Sequence, residues 1–429
     1  MNENRKAVAV AVPAPKSPVD GVTAARPPSA PVSQPPATES PVPRAGLGER
    51  LVGKLSRFIA FACRTHSPYQ AAVIRIGYGF FFTCYLLREW PNRGVLYGER
   101  NPWSLPMSRA LIGDTHAFTV LTWMDGRLWF EFVYIGAIAA GVLLMLGWRT
   151  RAIAVLFMVG VLAIENRSPF VGDAGDDIIR IMAVYLVFTR CGQVWSLDAR
   201  RRGLRAGEAR QDRAGVALWA VLAPPLLWAS FAHWDGWLGV FWVMWAVQGL
   251  WFAGNRWAPR HAVRSLLDSG GAMLHNCAML VIAVQVCFIY ASAGLYKSQG
   301  TKWQDGSAVY YAMHLDLFRP WPWLTELFSA NMLLVFVLCY ATVIMQISFP
   351  FTLMYRRVKN VLLAIMILEH LGIALILGIP FLSLAMIVSD AVFLPTALLL
   401  CTEGRCAGLV QRFRERSGRH TGGQCLESA

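Results

Sequence analysis

Long apolar runs punctuated by short basic clusters dominate this chain. A helix that crosses lipid needs about 20 mostly apolar residues, because every backbone polar group in hydrocarbon must be satisfied within its own segment. Ten stretches meet or approach that length: roughly 70–89, 129–147, 151–166, 177–192, 214–231, 236–254, 272–295, 328–349, 359–378 and 381–400. The third and fourth are short. The pattern predicts an all-α fold, a polytopic transmembrane helical bundle of about ten spans.

The connections carry the orientation. Lys54, Arg57 and Arg64 precede the first run, and Arg405 and Arg412 follow the last. Between them, basic clusters fall after every even-numbered run: Arg149 and Arg151; Arg200, Arg201, Arg202, Arg205, Arg210 and Arg213; Arg256, Arg260 and Arg264; Arg356, Arg357 and Lys359. This alternation places both termini in the cytoplasm under the positive-inside rule. The opposite side then holds the longer loops, 90–128 and 296–327, whose Trp103, Trp123, Trp303, Trp321 and Trp323 fit an interfacial aromatic belt or amphipathic helices lying at the headgroup level.

Composition agrees with a membrane protein. Hydrophobic residues are 55%, charged residues 15% and the mean hydropathy is +0.43, whereas soluble domains carry roughly 25% charge. The net charge of +14 would prompt a nucleic-acid hypothesis in a soluble chain. Here the charge lies in loops without any nucleic-acid motif, so no nucleic-acid partner is expected. Three regions are expected: a disordered Pro/Ala-rich cytoplasmic tail at 1–48, which holds ten of the 23 prolines and reads as no signal peptide; a transmembrane domain at 49–402; and a basic cytoplasmic tail at 403–429. The nine cysteines form no C-x-x-C pair, and the eight histidines are dispersed without H-E-x-x-H spacing, so neither a disulfide scaffold nor a metal site is expected.

Three constellations carry candidate chemistry. In Ser292-Ala293-Gly294-Leu295-Tyr296-Lys297-Ser298, Lys297 ends a long apolar run, where partial desolvation favours a neutral amine able to act as a general base. A snorkelling lysine is the alternative. Asp305, beyond Trp303, pairs with either Lys302 or Lys297. The second constellation runs from Glu165-Asn166-Arg167 through Asp173, Asp176 and Asp177 to Arg180, as either an ion pair capping the fourth helix or a polar substrate site. The third is Glu369-His370-Leu371-Gly372 in the ninth run, a polar pair expensive in hydrocarbon that either fixes a helix crossing or relays protons. Glu369 and His370 stand about 100° apart on a helix and so cannot face one narrow groove equally.

Taken together, Arg75, Asn166-Arg167-Ser168-Pro169, Gly175-Asp176-Asp177-Ile178-Ile179-Arg180, Trp195-Ser196-Leu197-Asp198, Ala293-Gly294-Leu295-Tyr296-Lys297, Trp303-Gln304-Asp305-Gly306 and His370-Leu371-Gly372 resemble the bacterial HTTM family. That family is related to the membrane part of vitamin K-dependent gamma-carboxylase and includes the sporulation-delaying protein B group. The resemblance covers about residues 65–400. It implies a multi-pass protein of the bacterial inner membrane that modifies or matures a secreted peptide, beside membrane partner proteins. A reduced quinone such as vitamin K hydroquinone would be the cofactor. If the chain is an enzyme, it is then a carboxylase-like lyase or ligase, or a quinol-dependent peptide-modifying enzyme. Lys297 and His370 would be catalytic, and Arg75, Arg167, Asp176, Arg180, Trp303 and Asp305 would position substrate around a polar cavity opening outward. Three features depart from the carboxylase pattern: Pro169, Phe170 and Val171 stand where a histidine-bearing segment is expected, the Lys297 to Trp303 spacing is one residue longer, and no large soluble domain is expected after the helices. The alternative is a noncatalytic assembly component, or a transporter for a peptide or small molecule.

Overall fold

The computed structural model describes residues 47–204, 213–257, 262–405 and 408. Two compact units divide the chain, Met1–Gly53 and Lys54–Ala429, and the membrane bundle belongs to the second. The predicted tail at 1–48 lies almost wholly outside the described residues, as do Arg205, Arg210, Arg260 and most of 403–429.

Every described element is helical. In chain order they are α1 (Leu47–Ala62), α2 (Pro68–Glu89), α3 (Arg93–Leu96), α4 (Leu105–Thr115), α5 (Arg127–Leu146), α6 (Thr150–Glu165), α7 (Ala174–Val187), α8 (Leu197–Leu204), α9 (Arg213–Val221), α10 (Ala223–Ala232), α11 (Gly236–Trp257), α12 (Ala262–Gln299), α13 (Thr301–Gln304), α14 (Ala308–Met313), α15 (Pro322–Ser329), α16 (Met332–Thr352), α17 (Arg356–Ile376) and α18 (Pro380–Asp390). Among the described residues, seven spans are long and apolar enough to cross a membrane, with α9 and α10 forming one of them, and a bent pair at Pro380–Phe393 and Thr396–Arg405 would make eight. The chain is therefore an all-α, polytopic integral membrane bundle.

The expected ten spans are reduced at two places. The third and fourth are α6 and α7, of 16 and 14 residues. At 1.5 Å per residue they measure about 24 and 21 Å, short of the roughly 30 Å hydrocarbon core. The tenth is not one straight helix but bends by 106°. Pro395 explains the bend, since the residue before a proline is driven out of the helical region, and Leu394 is extended at ψ 137°. Broken backbone inside a membrane must still be satisfied. Gln70 Nε2 donates to the Leu394 carbonyl at 2.7 Å, and Lys359 Nζ donates to that of Phe393.

Two layers of packing build the bundle. Helices α2, α5, α6, α7 and α18 form one group, and α12, α16 and α17 form another that joins it through α18 and α7. Small residues set the tightest crossing, as expected where lipid provides no hydrophobic drive between helices. A Cβ on Gly79 of α2 would lie 2.8 Å from the Gly141 carbonyl of α5.

Helix ends are closed by the very motifs that stood out in the sequence. Asp173 caps α7, accepting from Gly175 N at 2.6 Å, while Asp176 accepts from Asp173 N at 2.9 Å in a reciprocal capping box. Asp198 reaches from α8 to the start of α6, accepting from Arg149 N at 3.0 Å and from Thr150 N and Oγ1 at 2.7 Å. His275 and Asn276 bind the 62–66 loop: His275 Nδ1 accepts from Arg190 N at 2.9 Å, so its Nε2 carries the proton donated to the His66 carbonyl at 2.7 Å. Asn276 Nδ2 donates to the carbonyls of Ala62 and Arg64. Residues 62–66, 147–151, 190–198 and 268–276 thus meet at one arginine-rich end. Since α6 leaves that end and α7 returns to it, the short pair preserves the alternation of basic loops.

Candidate functional site

At the opposite end, the last turns of α12 carry the lysine. Tyr290, Gly294 and Lys297 recur at spacings of four and three, so they share one helical face. Gly294 brings that face against α16: a Cβ there would stand 2.7 Å from Ile347 Cγ1, 3.0 Å from Ile347 N and 3.2 Å from Gln346 Cβ. Gly294→Ala is expected to force α12 and α16 apart, destabilising by about 1–3 kcal/mol, and thermal unfolding in detergent checks this.

Across that seam, Lys297 Nζ donates to Gln346 Oε1 at 2.9 Å, and Gln346 Nε2 donates to Glu369 Oε1 of α17 at 3.2 Å. The amide therefore couples an amine to a carboxylate without direct contact. Trp303, just beyond α12, places its ring centroid 5.6 Å from Nζ. Glu369 Oε2 is buried and has no hydrogen-bond partner.

The neighbouring residue opens a second line. His370 Nε2 lies 3.2 Å from the Tyr290 hydroxyl, which donates to Asp390 Oδ2 at 2.8 Å. A hydroxyl has one proton to give, and with the carboxylate taking it, His370 must donate from Nε2. His370 Nδ1 and Asp390 Oδ1 are left buried without hydrogen-bond partners. Tyr290, His370 and Asp390 are all buried, with Asp390 0% exposed at the end of α18, just before the bend. Glu369 and His370 thus face adjacent seams, as their angular separation requires. Tyr290→Phe would strand both neighbours in this dry contact and is expected to cost about 2 kcal/mol or more, measured by unfolding, with Asp390→Asn milder because an amide still accepts from Tyr290.

The other sequence candidates lie elsewhere. Arg167 donates to the Trp103 carbonyl at 3.0 Å and to Ser108 Oγ, holding the 97–123 loops against the end of α6. Arg180 bridges Asp177 at 2.6 Å and Asn166 Oδ1 at 3.3 Å, and Asp176 accepts from the Tyr85 hydroxyl at 3.3 Å. Asp305 takes Ser307 N at 2.9 Å and the Ser307 hydroxyl, and these hydrogen bonds hold its carboxyl below the usual range; its lysine neighbour is Lys302, at 3.8 Å. No hydrogen bond or ion pair among the described residues joins the Arg167–Asp176–Arg180 group to Lys297.

Arg75 lies at the arginine-rich end, away from the other candidates. Nη1 donates to the carbonyls of Leu144 at 2.7 Å and Met145 at 3.0 Å, and Nη2 to that of Trp195 at 2.6 Å. It closes the C-terminus of α5 beneath Gly147, whose φ of +68° and missing side chain leave room for the guanidinium. Of the four residues expected around one outward cavity, Arg75, Arg180, Lys297 and His370, Arg75 therefore stands at the opposite end from Lys297. A cavity of about 230 Å³ lies near the arginine-rich end, lined by His66, Ser67, Asn276, Met279, Ala283 and Val392.

Sequence reasoning missed Gln346 and Tyr290. Gln346 is the lone amide within the apolar α16, and Tyr290 lies two turns before Lys297 on the same face; both signals are present in the residues. Among the described residues, no three His, Cys, Asp or Glu side chains come together as a metal site. At the Lys297 corner an amine with one hydrogen-bond partner, Gln346, stands beside the Trp303 indole, and these are the groups that would hold a quinol. Compared with known proteins, the chain matches no protein-family model, no curated protein and no solved structure.

Proposed function

We propose that this membrane protein is an acid–base enzyme of the carboxylase-like kind, acting on a secreted peptide with a reduced quinone at the Lys297 corner. The observation that carries this reading is the Lys297–Gln346–Glu369 line at the end of α12. Lys297 would exchange a proton at Nζ with a bound hydroxyl, Gln346 would hold Nζ in direction, and Glu369 would supply the counter-charge one amide away. Trp303 would wall the corner and exclude water, which strengthens each of these interactions. Lys297 and Trp303 would hold a reduced quinone, which with oxygen would supply the strong base needed to remove a glutamate γ-proton for carboxylation. The likeness to the HTTM family supports this, as do basic loops consistent with a bacterial inner membrane, both termini cytoplasmic and the Lys297 end outward.

The experiment is incorporation of isotope-labelled bicarbonate into glutamate-containing peptides by membranes holding the protein, with reduced vitamin K and oxygen. Label that disappears without quinol supports the proposal. No label from folded protein overturns it.

A second reading has its own observation. A histidine, a tyrosine and a carboxylate linked inside the membrane, ending at a broken helix, form the type of line that proton-coupled transporters use. Substrate uptake into proteoliposomes driven by a proton gradient, in protein that fails to label peptide, would favour a transporter.

A further inference from the structure

The arginine-rich end holds a cluster that the reaction does not use. Trp251, near the end of α11, has the guanidinium carbon of Arg151 4.5 Å from its ring centroid and that of Arg264 at 4.9 Å. Arg151 comes from the first turn of α6 and Arg264 from the first turn of α12, so one indole joins three helices. Arg190 and Arg202 lie within electrostatic reach of Arg151. Arg190 rests on α12, where a Cβ on Gly271 would meet its Nη2 at 2.5 Å.

Among the described residues, the carboxylate that pairs with these cations is that of Asp268. Asp268 sits 3.3 Å from Arg264 and 3.5 Å from Arg190. Arg202 spends its Nη2 on the carbonyls of Gly192 and Gln193. The Nε of Arg190 is buried without a hydrogen-bond partner, while that of Arg264 pairs with Asp268. Four like charges gathered by packing around one acid repel one another, and an anion with several oxygen acceptors relieves that repulsion.

We propose that Arg151 and Arg264, which flank Trp251, together with the neighbouring Arg190 and Arg202, bind the phosphate headgroup of an anionic phospholipid. Guanidinium forks match phosphate oxygens, and basic recesses between transmembrane helices are a recognised way of holding such headgroups. The surroundings favour a lipid over free phosphate. On the same two helices Leu250 and Trp257 of α11 and Leu266 of α12 are 60%, 80% and 69% exposed, apolar side chains against which acyl chains can lie. The site holds α6, α11 and α12 together and is independent of the Lys297 chemistry.

The test uses the purified full chain, stripped of lipid in detergent and titrated with phosphatidylglycerol, phosphatidylcholine or inorganic phosphate, with bound lipid read by native mass spectrometry. Phosphatidylglycerol is expected to bind and phosphatidylcholine not. Arg151→Gln with Arg264→Gln is expected to weaken phosphatidylglycerol binding about 25-fold, at about fivefold per charge removed. Arg356→Gln with Arg357→Gln, exposed at the same end outside the cluster, should leave it unchanged. Equal losses in both pairs would reduce the effect to general surface charge and overturn the site. Inorganic phosphate displacing the lipid at equal concentration would overturn the lipid as ligand. Should the glutamine pair not fold, Arg151→Lys with Arg264→Lys decides: ammonium groups neither lie flat on the indole nor fork a phosphate, so binding should weaken, and unchanged binding refutes the proposal.

Discussion

Lys297→Ala is expected to lower quinol-dependent labelling of peptide by at least about 100-fold, the smaller end of what a positioned general base contributes, while folded protein is recovered at the wild-type level. The amine makes one hydrogen bond, to Gln346, and one ring contact, to Trp303. Its loss leaves the carbonyl of the buried Gln346 unpaired inside α16, a penalty of about 1–3 kcal/mol that a bundle of this size tolerates. Lys297→Arg separates the possible roles: it keeps a positive charge but cannot give up its proton. A base role predicts that arginine is as inactive as alanine. Activity retained with arginine would make Lys297 a fixed charge. Activity retained with alanine would make it a snorkelling lysine and remove the basis of the carboxylase-like reading.

Arg75→Ala is expected to have the largest effect on the fold. The guanidinium is 0% exposed and serves the carbonyls of Leu144, Met145 and Trp195. Two of these are the terminal acceptors of α5, where the helix dipole concentrates partial negative charge. Removing the donor strands the Met145 and Trp195 carbonyls and leaves that of Leu144 with its Gly147 N–H alone, so at about 1–3 kcal/mol for each stranded acceptor a loss of about 3 kcal/mol or more is expected. Arg75→Lys should recover only part, since an ammonium lacks the fork that divides between α5 and the 195 loop. The measurement is the midpoint of thermal unfolding in detergent with the yield of monodisperse protein. If Arg75→Ala matched wild type in stability but lost labelling, Arg75 would belong to the site after all.

The two residues illustrate what a sequence reveals about a polar side chain in hydrocarbon. That Lys297 and Arg75 each require a partner follows from the expense of burying a charge. Which partner they find does not. Lys297 meets an amide 49 positions away on another helix, whereas Arg75 meets backbone carbonyls, which carry no residue-type signal at all. Asp173, Asp176 and Asp198 were visible as a motif, yet much of what they do is to close helix ends, so a functional-looking pattern here is also a folding one. The Glu369–His370 pair was legible down to its divergence into two seams, because 100° per residue is a property of the helix itself.

By itself the sequence determined the class of the protein, most of its helical segments and the alternation of its basic loops. All three follow from local rules: hydrocarbon demands long self-satisfied helices, and loop charge is counted along the chain. Helix length inside the bundle, the bend at Pro395 and the choice of partners were decided only by tertiary structure. A 14-residue helix such as α7 is stable because neighbouring helices cover it, and a broken backbone at Phe393 and Leu394 is tolerated because Lys359 and Gln70 arrive from other helices to satisfy it. Such contacts join residues 34 and 324 positions apart, and no periodicity along the chain encodes them.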